Sequence, residues 1–430
     1  MPVSLKTSDA GFARQFDALV NVRREEEADI AETVKQIIAD VRARGDAALA
    51  ELTARFDGVD LNETGLRVSE AQMDAAVAEV APETMKALEL ACERIDAYHR
   101  RQLPGNDLYE DLQGVELGHK WTAVDSAGLY VPGGQASYPS SVLMNALPAR
   151  VAGVKRVAMA VPTPRGEMNP LVFAAARLAG VDEIYRVGGA QAVAALAYGT
   201  ETVAPVAKII GPGNAYVAEA KRQVFGRVGI DSIAGPSEVL IVADKHNNPE
   251  WVAADLLAQA EHDAAAQSIL ITDDGDFARQ VATEVERQLA TLPRGNIAGA
   301  SWERFGAIIV VERLDEAPEL VNRLAPEHLE IATADPEALL GEIRNAGAIF
   351  LGAHTPEAVG DYVAGPNHVL PTSRTARFSS GLSVLDFMKR SSILRLNAEA
   401  LSVLGPAAMT LAEAEGLDAH ARSIRMRLDR

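Results

Sequence analysis

Two residues of metal-binding type, Gln259 and His262, stand three positions apart in the stretch WVAADLLAQAEHD. The alanines and leucines of this stretch predict a helix, and a spacing of three places an amide oxygen and an imidazole on one helical face, within reach of one metal ion. A polar stripe facing solvent is the commoner explanation of such a pair. No HExxH or CxxC motif occurs in the chain, so further metal ligands must come from distant segments.

An acid and an imidazole are adjacent at Glu327 and His328, in the stretch LAPEHLEI, which precedes a predicted strand. Loops at the ends of strands are where α/β proteins hold catalytic groups. A carboxyl beside an imidazole can transfer protons near neutral pH, because the surroundings can tune both pKa values. A loop pair without function is still the commoner meaning of two such residues.

Two further pairs of acid and histidine flank glycine-containing turns. Asp361 and His368 enclose the turn in GDYVAGPNHVL, which can return both side chains to one pocket. Glu415 and His420 lie on either side of a glycine in LAEAEGLDAHA, near the C-terminus, where chains are usually solvated. Each of these residues, taken singly, is more commonly structural or exposed than functional.

Three glycine-rich turns follow predicted strands, at residues 187–192, 209–216 and 233–240. Such turns can place backbone N–H groups and a helix N-terminus against a pyrophosphate. The dinucleotide fingerprint G-x-G-x-x-G is nevertheless absent, since Tyr216 replaces its third glycine. The clustering of the three turns in one half of the chain favours a nucleotide site there.

The elements that must position these residues alternate regularly. Residues 29–102 are predicted to be helical, and 108–130 suggest strands. Two series of alternating strands and helices follow, with strands predicted at VAMAV, IYRV, AKII and EVLIVAD and then at SILITD, AIIVVE, LEIAT and AIFLG. This pattern predicts an α/β fold with two Rossmann-like parallel sheets. Residues 291–305 are predicted to be a surface loop, and only two short helices are predicted after residue 382.

The sequence also predicts a domain division. Residues 1–28 form an N-terminal arm, and residues 29–129 join 239–381 in a first, discontinuous α/β domain. Residues 130–238 form a second α/β domain that carries the glycine-rich turns. Residues 382–430 form a helical C-terminal tail.

Composition narrows the class of protein. The 430 residues include 48% hydrophobic residues, enough for a large core, and carry a formal charge of −19. So acidic a surface repels nucleic acids and anionic membranes. The N-terminus lacks the features of a signal peptide, so a cytoplasmic location is expected. The single cysteine, Cys92, lies in a helical pattern, which disfavours a thiol nucleophile and therefore an oxidation through a thioester.

Read together, these segments resemble the histidinol dehydrogenase family over most of the chain. The resemblance rests on nine segments in the same order: YVPGG, VGGAQAVAALAYGT, KIIGPGNAYVAEAKR, DSIAGPSEVLIVAD, LLAQAEHD, LAPEHLEI, GDYVAGPNHVLPTS, FSSGLSV and LAEAEGLDAHA. It implies an aldehyde-dehydrogenase-like arrangement of the two Rossmann-like domains. The N-terminal segment and residues 291–305 carry no matching motif.

The resemblance also implies roles for particular residues. It implies one zinc ion per subunit, held by Gln259, His262, Asp361 and His420, and a catalytic pair at Glu327 and His328. Substrate contacts fall on Ser237, His328, His368, Glu415 and the four zinc ligands, and NAD contacts fall on Tyr130, Gln191 and Asn214.

The implied activity is the zinc- and NAD-dependent oxidation of histidinol through histidinal to histidine, the last step of histidine biosynthesis, with two NADH formed. The implied assembly is a homodimer whose C-terminal tails complete each other's sites. Two alternatives stay open: a zinc- and NAD-dependent dehydrogenase of another polar alcohol, such as a sulfonated diol, or a zinc hydrolase that uses no nucleotide. A non-catalytic zinc module fits least, because structural zinc sites are usually closed by sulfur and nitrogen ligands.

Overall fold

Two parallel sheets and one small antiparallel sheet organise the chain. A computed structural model describes residues 2–22, 30–133 and 138–429. With strands numbered along the chain, the six-stranded large sheet has the order β1 (Val3–Lys6), β11 (Ala307–Val310), β10 (Gln267–Thr272), β9 (Glu238–Ala243), β12 (His328–Ala332) and β13 (Ala348–Leu351). The five-stranded small sheet has the order β6 (Glu183–Tyr185), β5 (Arg156–Ala160), β4 (Ser126–Tyr130), β7 (Lys208–Ile210) and β8 (Gly229–Ile230). The antiparallel sheet has the order β14 (Met388–Arg395), β3 (Glu116–Ala123) and β2 (Asp107–Glu110).

All neighbouring strands of the large and small sheets run parallel. In the small sheet the chain first builds β4, β5 and β6 in one direction and then returns to the other side of β4 with β7 and β8. This is the Rossmann strand order without its sixth strand, and the strands from β9 to β13 repeat it in the large sheet. The predicted fold class, two Rossmann-like parallel sheets, is confirmed.

Helices cover both faces of the two parallel sheets. They are α1 (Phe12–Val20), α2 (Ala31–Arg44), α3 (Asp46–Asp57), α4 (Leu61–Thr64), α5 (Glu70–Ala78), α6 (Pro82–Arg100), α7 (Pro139–Val151), α8 (Pro170–Leu178), α9 (Gly189–Tyr198), α10 (Ala215–Val224), α11 (Pro249–Ala260), α12 (Gly275–Leu289), α13 (Gly295–Phe305), α14 (Ala317–Leu324), α15 (Pro336–Leu340), α16 (Glu357–Tyr362), α17 (Ala398–Ala414) and α18 (Asp418–Leu428). None of the described helices combines the length and the apolar composition that a membrane span requires.

Local signals in the sequence account for several helix ends. Gly45 ends α2 with a positive φ of 56°, and Pro82 stands at the start of α6. Ser69 forms a capping box with Gln72 at the start of α5. The strand β9 is buried on both faces, with Leu240 in one core and Ile241 in the other, which explains its nearly continuous apolar sequence.

The cores group the chain differently from the predicted domain division. Helices α2, α3, α5 and α6 pack in the two cores of the small sheet, where Val34 and Leu88 are buried with residues of β4 and β5. Residues 29–129 were expected to join 239–381 instead. A division that follows the cores joins these helices to the small sheet. Strand β1, from the predicted N-terminal arm, pairs with β11 of the large sheet.

Two predicted stretches need correction. Residues 291–305 are not a surface loop, because helix α13 occupies Gly295–Phe305 and buries Ala298 and Trp302 in the core beside α11. The tail after residue 382 is not purely helical either, because β14 pairs antiparallel with β3 along eight residues. The largely exposed sequence of β14, MKRSSILR, has no regular alternation that would predict a strand.

Candidate active site

The catalytic pair predicted from the sequence lies at the amino end of β12, between β9 and the edge strand β13 of the large sheet. Glu327 immediately precedes the strand and His328 begins it, and both are buried. One residue of the neighbouring strand β9, Glu238, holds both members of the pair. Its backbone N–H donates to Glu327 Oε2 at 2.9 Å, and its carbonyl lies 3.1 Å from His328 Nδ1. Because a carbonyl only accepts, Nδ1 carries the proton in this contact, and Nε2 is left as the basic atom of the ring.

Three carboxylates surround the His328 ring. Nδ1 lies 3.8 Å from Glu327 Oε2 and 4.0 Å from Glu357 Oε2, and Nε2 lies 3.4 Å from Asp361 Oδ1. Burial by itself lowers the pKa of His328, but the three acids outweigh it and raise that pKa well above its usual value. The three carboxylates therefore stabilise the imidazolium form of the ring.

The pKa of Glu327 is also raised, but in this case burial is the cause and the neighbouring groups mainly oppose it. Burial raises the pKa of its carboxyl to about 7, against the opposing effects of His328 and of the N–H of Glu238. A carboxyl with that pKa can both take and release a proton near neutral pH, as a general base requires.

The predicted metal ligands Gln259, His262 and Asp361 lie beside this pair. Gln259 is fully buried in the last turn of α11, and His262 follows just after the helix ends at Ala260. Gln259 Nε2 and His262 Nδ1 are 2.9 Å apart. Burial lowers the pKa of His262, although the charge of Asp361 partly opposes this. A neutral imidazole is the form that binds a metal ion.

Two observations fit a metal ion at this place. Gln259 Oε1 is buried and has no hydrogen-bond partner among the described residues. The Asp361 carboxylate faces His328, and in the described ranges it belongs to a group of three potential ligands, with His328 and Glu357, whose donor atoms lie within 4.8 Å of one another. Burial raises the pKa of Asp361, but His328 and neighbouring histidines lower it further, so the carboxylate stays ionised. Imidazole, carboxylate and amide oxygen together suit zinc.

Two predicted substrate contacts, His368 and Ser237, lie close to the catalytic pair and the predicted metal ligands. His368 Nδ1 is 3.0 Å from the carbonyl of Asp361, and its Nε2 is 3.3 Å from Ser141 Oγ. Ser237 directly precedes Glu238, and its carbonyl accepts from Gln267 at 3.0 Å. His368 is therefore held by the backbone of Asp361, and Ser237 adjoins Glu238, which holds the catalytic pair.

Glu415 and His420 are placed differently from the other predicted site residues. Both are exposed, on the hairpin that α17 and α18 form with each other. No hydrogen bond or ion pair in the part of the chain that the structure describes joins them to the cluster. Within one chain, the cluster is therefore assembled without these two residues.

The predicted nucleotide contacts meet at the carboxyl edge of the small sheet. Tyr130 ends β4 and Asn214 follows β7, so they flank the point at which the strand order reverses, which is where Rossmann folds bind nucleotides. The Tyr130 hydroxyl accepts from the N–H of Gly189 at 3.1 Å, at the start of the helix that carries the buried Gln191. Gly134, the last residue of the YVPGG motif, lies outside the described residues.

A cavity of about 410 Å³ near this edge is lined by the segments that follow β4 and β5, from Pro132 to Gly133 and from Val161 to Phe173. Tyr130, Gln191 and Asn214 are not among its lining residues. Close backbone packing excludes side chains nearby, because a Cβ on Gly211 would lie 2.1 Å from the carbonyl oxygen of Tyr130. The turns at residues 187–192 and 209–216 thus bring bare backbone to the carboxyl edge of the small sheet without the dinucleotide fingerprint.

The chain links the two edges directly. After β8 ends at the carboxyl edge of the small sheet, residues 231–237 lead into β9 at the amino edge of the large sheet. A single seven-residue segment therefore joins the carboxyl edge of the small sheet to the amino edge of the large sheet, where His328 lies.

Sequence reasoning missed the buried acids behind His328. Glu357 is 2% exposed, and its N–H donates to Glu330 Oε1 at 2.8 Å. Burial raises the pKa of Asp255 to about 6, and burial together with Asp255 raises the pKa of Glu330 well above its usual value. Glu330 stands between apolar residues in the strand HLEIA. The sequence could have indicated only that an acid occupies a strand position expected to be buried.

This acid pair predicts a pH-dependent gain of stability for Glu330→Gln. Because the folded-state pKa values of both carboxyls are raised, the folded protein loses stability as pH rises from about 4 through those values. The glutamine keeps the oxygen that accepts from Glu357. We expect the free energy of unfolding at pH 8 to rise by about 1 to 3 kcal/mol, with the gain shrinking toward pH 5. Denaturant unfolding at both pH values measures this, with exposed Glu312→Gln as control, and an equal change at both would contradict it.

Comparisons with known proteins agree with this architecture. The family model described as histidinol dehydrogenase matches residues 20–428. Histidinol dehydrogenase from Rhizobium meliloti (strain 1021) is 65% identical, covering 100% of this chain and 99% of its own, and that from Agrobacterium fabrum is 63% identical with the same coverage. The crystal structure of histidinol dehydrogenase from Elizabethkingia anophelis superposes with a TM-score of 0.96 at 36% identity, covering 100% of this chain and 98% of that one. The chain belongs to the histidinol dehydrogenase family.

Proposed function

We propose that this protein oxidises histidinol through histidinal to histidine, using zinc and two molecules of NAD. The observation that carries the proposal is the buried pair Glu327 and His328, held by one residue of β9 beside the metal-type donors Gln259, His262 and Asp361. The cytoplasmic location predicted from the sequence stays a prediction.

Zinc would be held by Gln259, His262 and Asp361, with His420 supplied by a second copy of the chain. When bound, zinc supplies a Lewis acid that orients the imidazole and amine of the substrate and offsets charge near the reacting carbon. NAD would be held by Tyr130, Gln191 and Asn214 and would supply the hydride acceptor for both oxidations.

His328 would act in the first oxidation. Its Nδ1 is engaged by the carbonyl of Glu238, so Nε2 takes the hydroxyl proton of the alcohol as the carbon is oxidised. The carboxylates of Glu357, Glu327 and Asp361 stabilise the imidazolium that forms. Burial of the pair excludes bulk water while the aldehyde is held.

Glu327 would act in the second oxidation. Its carboxyl, with a pKa of about 7, takes a proton from the water that adds to the aldehyde carbon. Once His328 has released its first proton to solvent, it takes a proton from the hydrate, and the hydrate's hydride would go to a second NAD as the carboxylic acid forms. Cys92 is not needed in these steps, and its thiol on α6 lies 3.9 Å from the carbonyl of Leu178.

The assignment of Glu327 predicts that Glu327→Gln separates the two oxidations. We expect the aldehyde step to slow by about 100- to 10,000-fold and the alcohol step to slow much less, because only the aldehyde step consumes water. The glutamine still offers an oxygen to the N–H of Glu238. Rapid-mixing assays of NADH formation, started from histidinol and from histidinal, measure the two steps. Equal losses in both would remove the proposed role.

The exposed positions of Glu415 and His420 support a site shared between two subunits. Apolar side chains on the same hairpin, including Leu411, Leu417 and Met426, are also exposed, which fits a second chain covering it. In such a homodimer, each tail would bring Glu415 and His420 to the other subunit's cluster.

Mixing two inactive variants tests the shared site. His262→Ala and His420→Ala homodimers each lack a metal ligand in every site and should be nearly inactive. In a mixed dimer with exchanged tails, one site collects both changes and the other collects none. Random pairing makes half the dimers mixed, so co-expression should restore about a quarter of wild-type activity. If each site were built within one chain, mixing would restore nothing.

A substrate test decides between the proposal and its alternatives. The purified, zinc-loaded protein should form NADH from NAD when histidinol is added, and histidine should appear as product. A dehydrogenase of another polar alcohol would reduce NAD with that alcohol and not with histidinol. A zinc hydrolase would leave NAD unreduced with every alcohol.

A further inference from the structure

A buried ion pair lies directly beneath the turn that follows β7. Lys221 of α10 and Asp231, just after β8, form this pair, and their side chains are 2% and 5% exposed. Lys221 Nζ also donates to the carbonyl of Gly211 at 3.0 Å, and Asp231 Oδ2 accepts from the N–H of Gly211 at 2.8 Å. The two side chains thus engage both backbone polar groups of the first residue of the turn.

Burying two charges is costly, and such a pair contributes little net stability unless its remaining hydrogen bonds are satisfied. In this pair the remaining hydrogen bonds go to the backbone of Gly211, which has a conformation that other residues rarely adopt. Gly211 has a φ of 114° and packs against the carbonyl of Tyr130. The ion pair therefore fixes the turn against the residue at the other side of the strand-order reversal.

The same pair connects the turn to the catalytic half. Asp231 opens the segment 231–237, which leads to Ser237 and to Glu238, whose backbone holds Glu327 and His328. At the far end of the turn, Asn214 caps α10 through the N–H of Val217 at 3.1 Å. The turn is thus anchored at both ends, and the ion pair is the anchor nearest the catalytic segment.

We propose that Lys221 and Asp231 are positioning residues that hold residues 211–214 in the shape required to bind the dinucleotide. The proposal rests on the proposed NAD-dependent function and deepens it. The pair contacts the backbone of the turn, and the nucleotide would contact the turn itself. Its loss should therefore weaken nucleotide binding and leave the metal cluster and the histidinol contacts in place.

A titration of the zinc-loaded protein with NADH, followed by the fluorescence of NADH, tests this proposal. The KM values for NAD and for histidinol and the Tm are measured on the same variants. In Lys221→Met and in Asp231→Asn, the Kd for NADH and the KM for NAD should rise by about 10- to 100-fold, since small displacements of positioning groups have effects of that size. The KM for histidinol and the zinc content should change by less than about twofold. A merely structural role would lower the Tm without this selective loss of nucleotide affinity.

Lys208→Met is the matched control. Lys208 lies at the start of β7, the strand that leads into the same turn, and donates to the carbonyl of Asp386 at 2.5 Å instead of to the turn. Its Kd for NADH should stay within about twofold of the wild-type value. A control that loses NADH affinity as strongly as Lys221→Met would overturn the proposal.

A double variant keeps the test decisive if the single variants do not fold. Lys221→Met combined with Asp231→Asn leaves no unpaired buried charge and keeps an oxygen for the N–H of Gly211. It should still bind NADH about tenfold more weakly than the wild type, because the carbonyl of Gly211 has lost its donor. Wild-type affinity in a folded single or double variant overturns the positioning role. A wild-type protein that does not bind NADH overturns the proposed function itself, so the two failures are distinct.

Discussion

His328→Ala should lower kcat by about 100- to 10,000-fold in both the alcohol and the aldehyde oxidation. In the proposed mechanism the imidazole takes the hydroxyl proton at Nε2 while Nδ1 is fixed by the carbonyl of Glu238. Alanine removes the base and leaves the surrounding acids without their positive partner. In the proposed mechanism both half-reactions release a proton to His328, so the kcat of each should fall.

Steady-state assays started separately from histidinol and from histidinal measure this effect. His246→Ala is the control, because His246 follows β9 at the opposite, carboxyl edge of the large sheet. The Tm should be recorded for both variants, since the loss of His328 also changes a buried cluster of charges. A His328→Ala enzyme that is folded and retains more than about a tenth of wild-type kcat in either step would contradict its role as the base.

His262→Asn should abolish metal binding and reduce turnover by about a thousandfold or more. A Lewis acid contributes several kcal/mol to stabilising the transition state, and each 1.36 kcal/mol corresponds to about a factor of ten in rate. The asparagine is smaller and cannot replace the imidazole as a nitrogen ligand, and Gln259 loses its partner at 2.9 Å. Chelation of the wild-type protein should have the same effect.

The fold should survive this loss, because it is stabilised by the burial of apolar side chains in four cores, and none of these cores contains a proposed metal ligand. Metal content by elemental analysis, circular dichroism and turnover should be measured together. Metal-free protein with near-normal turnover would show that the zinc assignment is wrong. Activity that returns when zinc is added back to chelated protein, but not to His262→Asn, is the expected pattern.

Much of the architecture was predictable, because it depends on local patterns. The alternation of apolar strands and helices predicts the two parallel sheets, and single residues such as Gly45 and Ser69 predict where helices end and begin. The strand β14 and the helix α13 were missed. β14 is largely exposed and is held by its partner β3, and α13 begins at a glycine without a side-chain cap, so neither carries a strong local signal.

The candidate site was predictable as a set of residue types but not as a geometry. The adjacency of Glu327 and His328 is visible in the sequence, whereas their common support by the backbone of Glu238 depends on the pairing of β12 with β9. Glu357 and Asp255 were not identified from the sequence, because their effect on His328 and Glu330 depends on burial in the folded chain. No short sequence motif indicates such burial. Lys221 and Asp231 are ten residues apart and meet only because α10 returns beneath the turn.

Counting NADH against histidinol tests the central claim most directly. The zinc-loaded protein is incubated with a limiting amount of histidinol and excess NAD until the reaction stops, and NADH, histidinal and histidine are all quantified. Because His328 and Glu327 together serve an alcohol oxidation and then the oxidation of a hydrated aldehyde at one site, the account predicts two NADH and one histidine for each histidinol, with no free aldehyde. One NADH per histidinol with accumulating histidinal would contradict it.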